Sequence, residues 1–143
     1  MEIRTEIEID APAERVFELL TDFARYPAWN PLVPEASGEL RVGGRIHIRV
    51  VAGREMRFHP VVVAFDPPRR LAWRGVIVNR LLFSGEHGFS IEPLGPERVR
   101  LVHGEVYTGL LVPFLAGTLN RDARPAFENF NRALKEHAER KAG

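Results

Sequence analysis

The chain contains no cysteine, which excludes disulfides, thiolate nucleophiles and sulfur-ligated zinc or iron–sulfur centres. It lacks a charge excess too: 20 basic residues stand against 19 acidic ones, spread along the chain, for a formal charge of +1. Without a basic stripe, nucleic acid is not an expected partner. No apolar run approaches the ~20 residues that span a bilayer. The opening MEIRTEIEID alternates charged residues and has none of the apolar block of a secretion signal. A cytoplasmic protein without integral membrane association is expected. Also missing are a phosphate-cradling glycine loop and a G-x-S-x-G context around Ser37, Ser84 or Ser90, so no cofactor and no serine triad are expected.

What is present is ordinary for a folded soluble chain: 143 residues, 45% hydrophobic and 27% charged. One domain spanning 1–143 is expected, long enough to withdraw about 70% of its unfolded surface from water and to enclose a cavity. Whether it acts as a monomer or a dimer is left open.

Ile3, Thr5, Ile7 and Ile9 alternate with Glu2, Arg4, Glu6 and Glu8, the period of a half-buried strand. Asp10-Ala11-Pro12 changes that period. Pro12 suits a first helical turn and Glu14 its positive end, so APAERVFELL reads as a helix burying Val16, Phe17, Leu19 and Leu20. A short turn, DFARY, follows, and Pro27 ends it. YPAWNPLVPEA carries three prolines and two large aromatics, Tyr26 and Trp29; it reads as a loop whose rings bury against the core or a ligand. Strand patterns then come in quick succession, GELRV, RIHIRVV, EMRFHPVVVAF and RLAWRGVIV, divided by turns at Gly43-Gly44, Ala52-Gly53 and Pro67-Pro68. Connections this short demand antiparallel neighbours. From Val112 to Ala138, apolar residues including Leu115, Leu119, Phe127, Phe130 and Leu134 recur at three and four, an amphipathic helix about 40 Å long. Pro125 lies inside it and predicts a kink or break near residues 121–125.

The strongest functional signal lies in residues 81–107. In LLFSGEHGFSIEP, alternation puts Phe83, Gly85, His87, Phe89 and Ile91 on one face; in VRLVHGEVYTG it puts Val99, Leu101, His103, Glu105 and Tyr107 on one face. If the apolar rows point inward, the ionisable groups do too. The opposite orientation would bury Val102 and Val106 instead but expose Val99 and Leu101. Ionisable groups in an apolar interior are costly unless paired or wet, so such rows indicate a polar-lined cavity. Leu94-Gly95-Pro96 separates the two strands, and His87 and His103 both stand eight residues from Gly95, which makes them cross-strand neighbours within a residue or two.

Five phrases in this order, IEIDAPAERVFELLTDFARYPAWNP, FDPPRRLAWRG, FSGEHGFSIEP, HGEVYTGLLVPF and FENFNRALKEHAE, resemble the SRPBCC superfamily. That superfamily holds START, plant pollen-allergen-like and polyketide cyclase/dehydrase proteins; the resemblance is to its bacterial polyketide-cyclase-like branch and covers nearly the whole chain. It implies an α+β helix-grip fold: a seven-stranded antiparallel sheet curved around a long C-terminal helix, with two short helices after the first strand. It also implies a hydrophobic cavity between sheet and helix for a lipid-like, aromatic or polyketide-like molecule. Members range from carriers to cyclases, hydrolases and chaperone regulators, so the resemblance does not imply a reaction.

The expected function is therefore binding, or transport, of a hydrophobic small molecule. Candidates for the cavity wall are Trp29 from the loop, Met56, Phe58, Trp73, Phe83, Phe89 and Tyr107 from the sheet, and Leu115, Leu119, Phe127 and Phe130 from the helix, with His87, His103 and Glu105 as its polar groups. For most of these, packing in the core is the plainer reading. Entry is expected near Pro27–Pro34 and the helix around Pro125. The alternative is an enzyme, a cyclase or dehydratase in which Glu105 acts as general base with His87 or His103, and with Arg74 or Arg80 balancing its charge. His103, Glu105 and His87 could also supply three zinc ligands, but helical H-E-x-x-H spacing is absent and no metal is expected. A third reading is a protein-interaction module working through an apolar patch on the sheet exterior.

Overall fold

A computed structural model describes residues 1–140. Strand β1, Glu2–Ile9, buries Ile3, Thr5 and Ile9 and turns its charged residues outward. Helix α1, Ala13–Thr21, begins after Pro12 and buries Val16, Phe17, Leu19 and Leu20. A 3₁₀ turn, Phe23–Arg25, leads into α2, Tyr26–Trp29. This corrects the loop reading of that stretch. Pro27 does not end a helix; it sits in the first turn of one, where its missing N–H has no partner to lose.

Seven further strands follow: β2 Glu35–Gly38, β3 Ile46–Ala52, β4 Arg54–Phe58, β5 Val61–Asp66, β6 Arg70–Ile77, β7 Phe83–Gly95 and β8 Arg98–Thr108. All pairings are antiparallel. They form a five-stranded sheet in the order β1-β8-β7-β6-β5 and a three-stranded sheet in the order β2-β3-β4. The helix-grip class holds, but eight strands in two sheets replace the expected single sheet of seven. The extra strand arises because EMRFHPVVVAF divides at His59-Pro60, where proline has no N–H for the ladder. The GELRV strand is displaced to Glu35–Gly38, and the chain after it turns through Gly43-Gly44. The two sheets stay in touch at one bridge, Arg45 to Val61, reinforced by Ile46 N–H donating to the Pro60 carbonyl at 3.0 Å.

Helix α3, Val112–Glu139, runs 28 residues across the concave face. It passes through Pro125 without the expected break. Pro125 and the residue four before it, Arg121, are both exposed, so water can take the hydrogen bond that the Arg121 carbonyl loses. The C-terminal half of α3 buries Phe127, Phe130, Leu134 and Ala138 and packs on α1, β1 and β8. Among the described residues no helix is long and apolar enough to cross a membrane.

Candidate ligand-binding site

Between the N-terminal half of α3 and the sheets lies a cavity of about 370 Å³, near the lower end of the ~300–1,000 Å³ usual for small-molecule pockets. Strands β6, β7 and β8 supply Trp73, Phe83, His87, Glu105 and Tyr107 as its floor. Val50, Met56 and Phe58 of the smaller sheet form a side, and Leu115, Leu119, Ala123 and Phe127 form the roof. Two glycines border the hollow. Gly75 and Gly85 face each other across the β6–β7 ladder on the inward row, and both line the cavity. A Cβ on Gly75 would meet nothing within 4 Å.

The floor carries one continuous polar chain. Tyr107 Oη donates to Glu105 Oε1 at 3.0 Å, and the same oxygen lies 3.2 Å from His87 Nδ1. His87 Nε2 is 2.7 Å from His103 Nε2, and His103 Nδ1 is 2.8 Å from Asn131 Oδ1. Asn131 Nδ2 donates to Thr5 Oγ1 at 2.8 Å, and Thr5 closes the chain by donating to the His103 carbonyl at 2.7 Å. Aromatic faces hold the imidazoles: His87 stacks on Trp73 with ring centroids 5.4 Å apart, and His103 lies between Phe89 and Phe127 at 4.6 Å from each.

Burial sets the charge states. His103 is fully buried, and desolvation together with His87 holds it well below the ordinary imidazole value, so it is neutral. Burial and the neighbouring Glu105 raise the Tyr107 hydroxyl above its ordinary range, so it keeps its proton and remains a donor. The cavity therefore presents a carboxyl and an imidazole on an otherwise apolar floor. Such a pair can orient a ligand's polar group or exchange a proton with it.

The chain matches the model of the family described as polyketide cyclase / dehydrase and lipid transport over residues 1–139. It belongs to this family. The SRPBCC resemblance is thereby established, and solved structures with the same fold agree. An aromatase/cyclase from Streptomyces sp. R1128 superposes with a TM-score of 0.78 at 20% identity, covering 98% of this chain and 94% of that one. A START superfamily protein from Mycobacterium smegmatis gives 0.71 at 23% identity, covering 96% and 97%. A hypothetical protein from Helicobacter pylori gives 0.80 at 16%, covering 97% and 88%. At these identities the likeness concerns the fold. No curated protein matches the sequence.

Within this polyketide cyclase/dehydrase-type domain, the inward orientation of Val99, Leu101, His103, Glu105 and Tyr107 is the one adopted; Val106 on the other face is exposed. Met56, Phe58, Trp73, Phe83, His87, Glu105, Tyr107, Leu115, Leu119 and Phe127 border the cavity. Four candidates do not. Trp29 packs on Tyr26, Phe130 and His137 at the closed end of α3. Phe89 and Phe130 fill the core between α3 and β7, and His103 lies one layer below the floor, behind His87. Arg74 does not balance Glu105; it pairs with Glu86 on the outer face at 3.1 Å, since its position in β6 alternates with that of Trp73. Arg80 is exposed in the β6–β7 turn.

Of the two stretches where entry is expected, both reach the cavity, through Leu32 and Val33 and through Asp122 and Ala123, although Pro125 itself does not border it; Arg54 and Thr118 also border it. Pattern reading places Thr5 and Gly85 on inward rows without giving either a role, and does not single out Asn131 or Gly75. Thr5 is the polar member of an isoleucine row and Asn131 directly follows Phe130 on the buried face of α3, so both carried a signal. The paired glycines carried none until β6 and β7 were in register.

Proposed function

We propose that the protein binds a largely apolar small molecule in this cavity, with the ligand's one polar group set against Glu105 and His87. The observation that carries the reading is the open space over Gly75, where a Cβ would meet nothing within 4 Å, beneath a roof of Leu115 and Leu119 that no core residue fills, while the place over its partner Gly85 is held by the Glu105 carboxylate. Space is left where a dry core would have closed. A cytoplasmic carrier of a lipid-like or aromatic compound fits that arrangement. Native mass spectrometry of gently purified protein is expected to find an apolar adduct that Gly75→Val abolishes. Identical spectra for the two proteins would refute the reading.

A second reading, the cyclase or dehydratase, is favoured by one specific observation: Glu105 and His87 share a hydrogen bond at the cavity wall. Either could move a proton next to a ligand carbonyl. His103 has no direct part in such a step, because it does not reach the cavity. With a polyketide-like substrate, Glu105→Gln is expected to abolish turnover while retaining binding. Undiminished turnover would remove the enzyme reading. Exposed apolar residues bearing on the interaction-module reading lie in two places: Val76 and Val106 on the sheet exterior, and Val78, Leu81, Leu110 and Phe114 in the β6–β7 turn and at the start of α3, where Leu110 N–H donates to the Leu81 carbonyl.

A further inference from the structure

The polar chain behind the cavity has a fixed starting point, because a backbone carbonyl can only accept. The His103 carbonyl takes the Thr5 hydroxyl proton at 2.7 Å. Thr5 Oγ1 must then accept at its other contact, from the Asn131 amide nitrogen at 2.8 Å. Asn131 consequently turns its Oδ1 to the His103 ring, and with that acceptor 2.8 Å away, Nδ1 of His103 carries the hydrogen. The Phe127 carbonyl, close to the same ring, favours a ring N–H as well. Since His103 is neutral, its Nε2 is a lone pair, and His87 Nε2 donates to it across 2.7 Å.

What remains is His87 Nδ1 facing Glu105 Oε1 at 3.2 Å. Two acceptors at that separation repel unless a proton lies between them. The pair therefore shares one, either as imidazolium and carboxylate or as imidazole and carboxylic acid, and is neutral overall in both forms. Oε1 also accepts from Tyr107 at 3.0 Å, so its capacity is taken. Oε2 receives no hydrogen bond among the described residues; it stands over Gly85, where a Cβ would overlap it. In both placements of the shared proton, Oε2 keeps its lone pairs and has no hydrogen.

We infer that Glu105 Oε2 receives the hydroxyl of an uncharged ligand, a phenol, enol or alcohol on an apolar frame, and that Thr5, Asn131 and His103 are positioning residues that keep this wall uncharged. The inference rests on the cavity being a ligand site. A ligand whose only polar group is a carbonyl or ether would bring a lone pair against a lone pair. An ammonium would find no net charge to offset its loss of water.

Three probes separate these chemistries: 6-fluoro-2-naphthol, its methyl ether, and 6-fluoro-2-naphthylmethylammonium, each titrated into the wild-type protein by fluorine-19 NMR. The naphthol is expected to bind about tenfold more tightly than the ether, as for a hydrogen bond to a charged or partly charged acceptor, with the ammonium weaker than the naphthol. Glu105→Met is expected to remove the difference between naphthol and ether. Gly85→Ala, which retains every polar group and sets its methyl against the Glu105 carboxylate, overlapping Oε2 and 3.2 Å from Cδ, is expected to narrow it. Nitrogen-15 spectra of the wild-type protein are expected to place the His103 hydrogen on Nδ1, a signature that a merely structural buried histidine does not require. Equal affinity for naphthol and ether, tightest binding of the ammonium, or a hydrogen on His103 Nε2 would each overturn the inference while leaving the cavity as a binding site. Failure of all three probes to bind would overturn the cavity reading itself and this inference with it.

Discussion

The two halves of α3 lie over the same concave face and do opposite things there. From Phe127 to Ala138 the helix presses large side chains onto α1, β1 and β8, and Phe130, Leu134 and Ala138 are buried. From Val112 to Asp122 it lies over a hollow, with Leu115 and Leu119 only half-buried although both belong to the same apolar stripe. The stripe does not decide which half is filled; the opposing surface does. At the closed end the helix meets Ile3, Ile9, Leu20 and Leu101, all fully buried. At the open end it meets the paired glycines and a smaller sheet that separates from the larger one at Pro60.

Substitution at the closed end should therefore cost far more than at the open end. Phe130→Ala is expected to destabilise by about 3–5 kcal/mol in urea denaturation, the usual cost of an aromatic cavity in a packed core. Leu119→Ala, which enlarges a space already present, is expected to cost less than about 1 kcal/mol. Equal costs would erase the distinction between the two halves.

Acid sharpens the comparison next, because the closed end holds His103. Unfolded, His103 takes up a proton as the pH falls through 6.5; folded, it stays neutral to well below that value. The unfolded state then binds more protons at this site, so the His103 contribution to stability is complete above pH 6.5 and declines below it, by up to about 1.4 kcal/mol per pH unit. His137, lowered by burial and by Arg140, Arg15 and Arg25, acts in the same direction. The decline should persist in His137→Gln and flatten in His103→Gln. Glu139 and Asp122, held low by their hydrogen bonds, lose their contribution only further down, in the carboxylate range. A flat profile between pH 6.5 and 5 would mean that His103 is reached by water.

Filling the open end should do the reverse of emptying the closed one. Gly75→Val places a β-branched side chain in free space on a strand, so stability is expected to rise by roughly 0.5–1 kcal/mol while ligand capacity is lost. A destabilised variant would show that the space is needed for folding. The smallest effect belongs to Phe114→Ala at the exposed start of α3, 83% accessible: a change within about 0.5 kcal/mol is expected in the same denaturation assay.

Much of this was legible in sequence, and the misses have physical causes. Alternation alone oriented β7 and β8, because burying Val99 and Leu101 outweighs exposing Val106. The count from Gly95 makes His87 and His103 neighbours within a residue or two, and their rings do meet, although in the ladder His87 pairs with Glu105 and Phe89 with His103. The turn is centred beyond Gly95, on Pro96 and Glu97, and a bulge between Pro93 and Gly95 shifts the ladder. Counting from Gly95 could not register that bulge. The layering of the two histidines was likewise hidden, since period two gives a face but not a depth. His87 reaches the cavity because the row beside it opens at Gly85; His103, between Phe89 and Phe127, does not.

The most direct test is a titration of 6-fluoro-2-naphthol into the wild-type protein and Gly75→Val, with folding of both checked by circular dichroism. Saturable one-to-one binding by the wild type, lost in a folded variant, is the expected result. No binding by the wild type, or undiminished binding by the variant, would contradict a ligand cavity beneath α3.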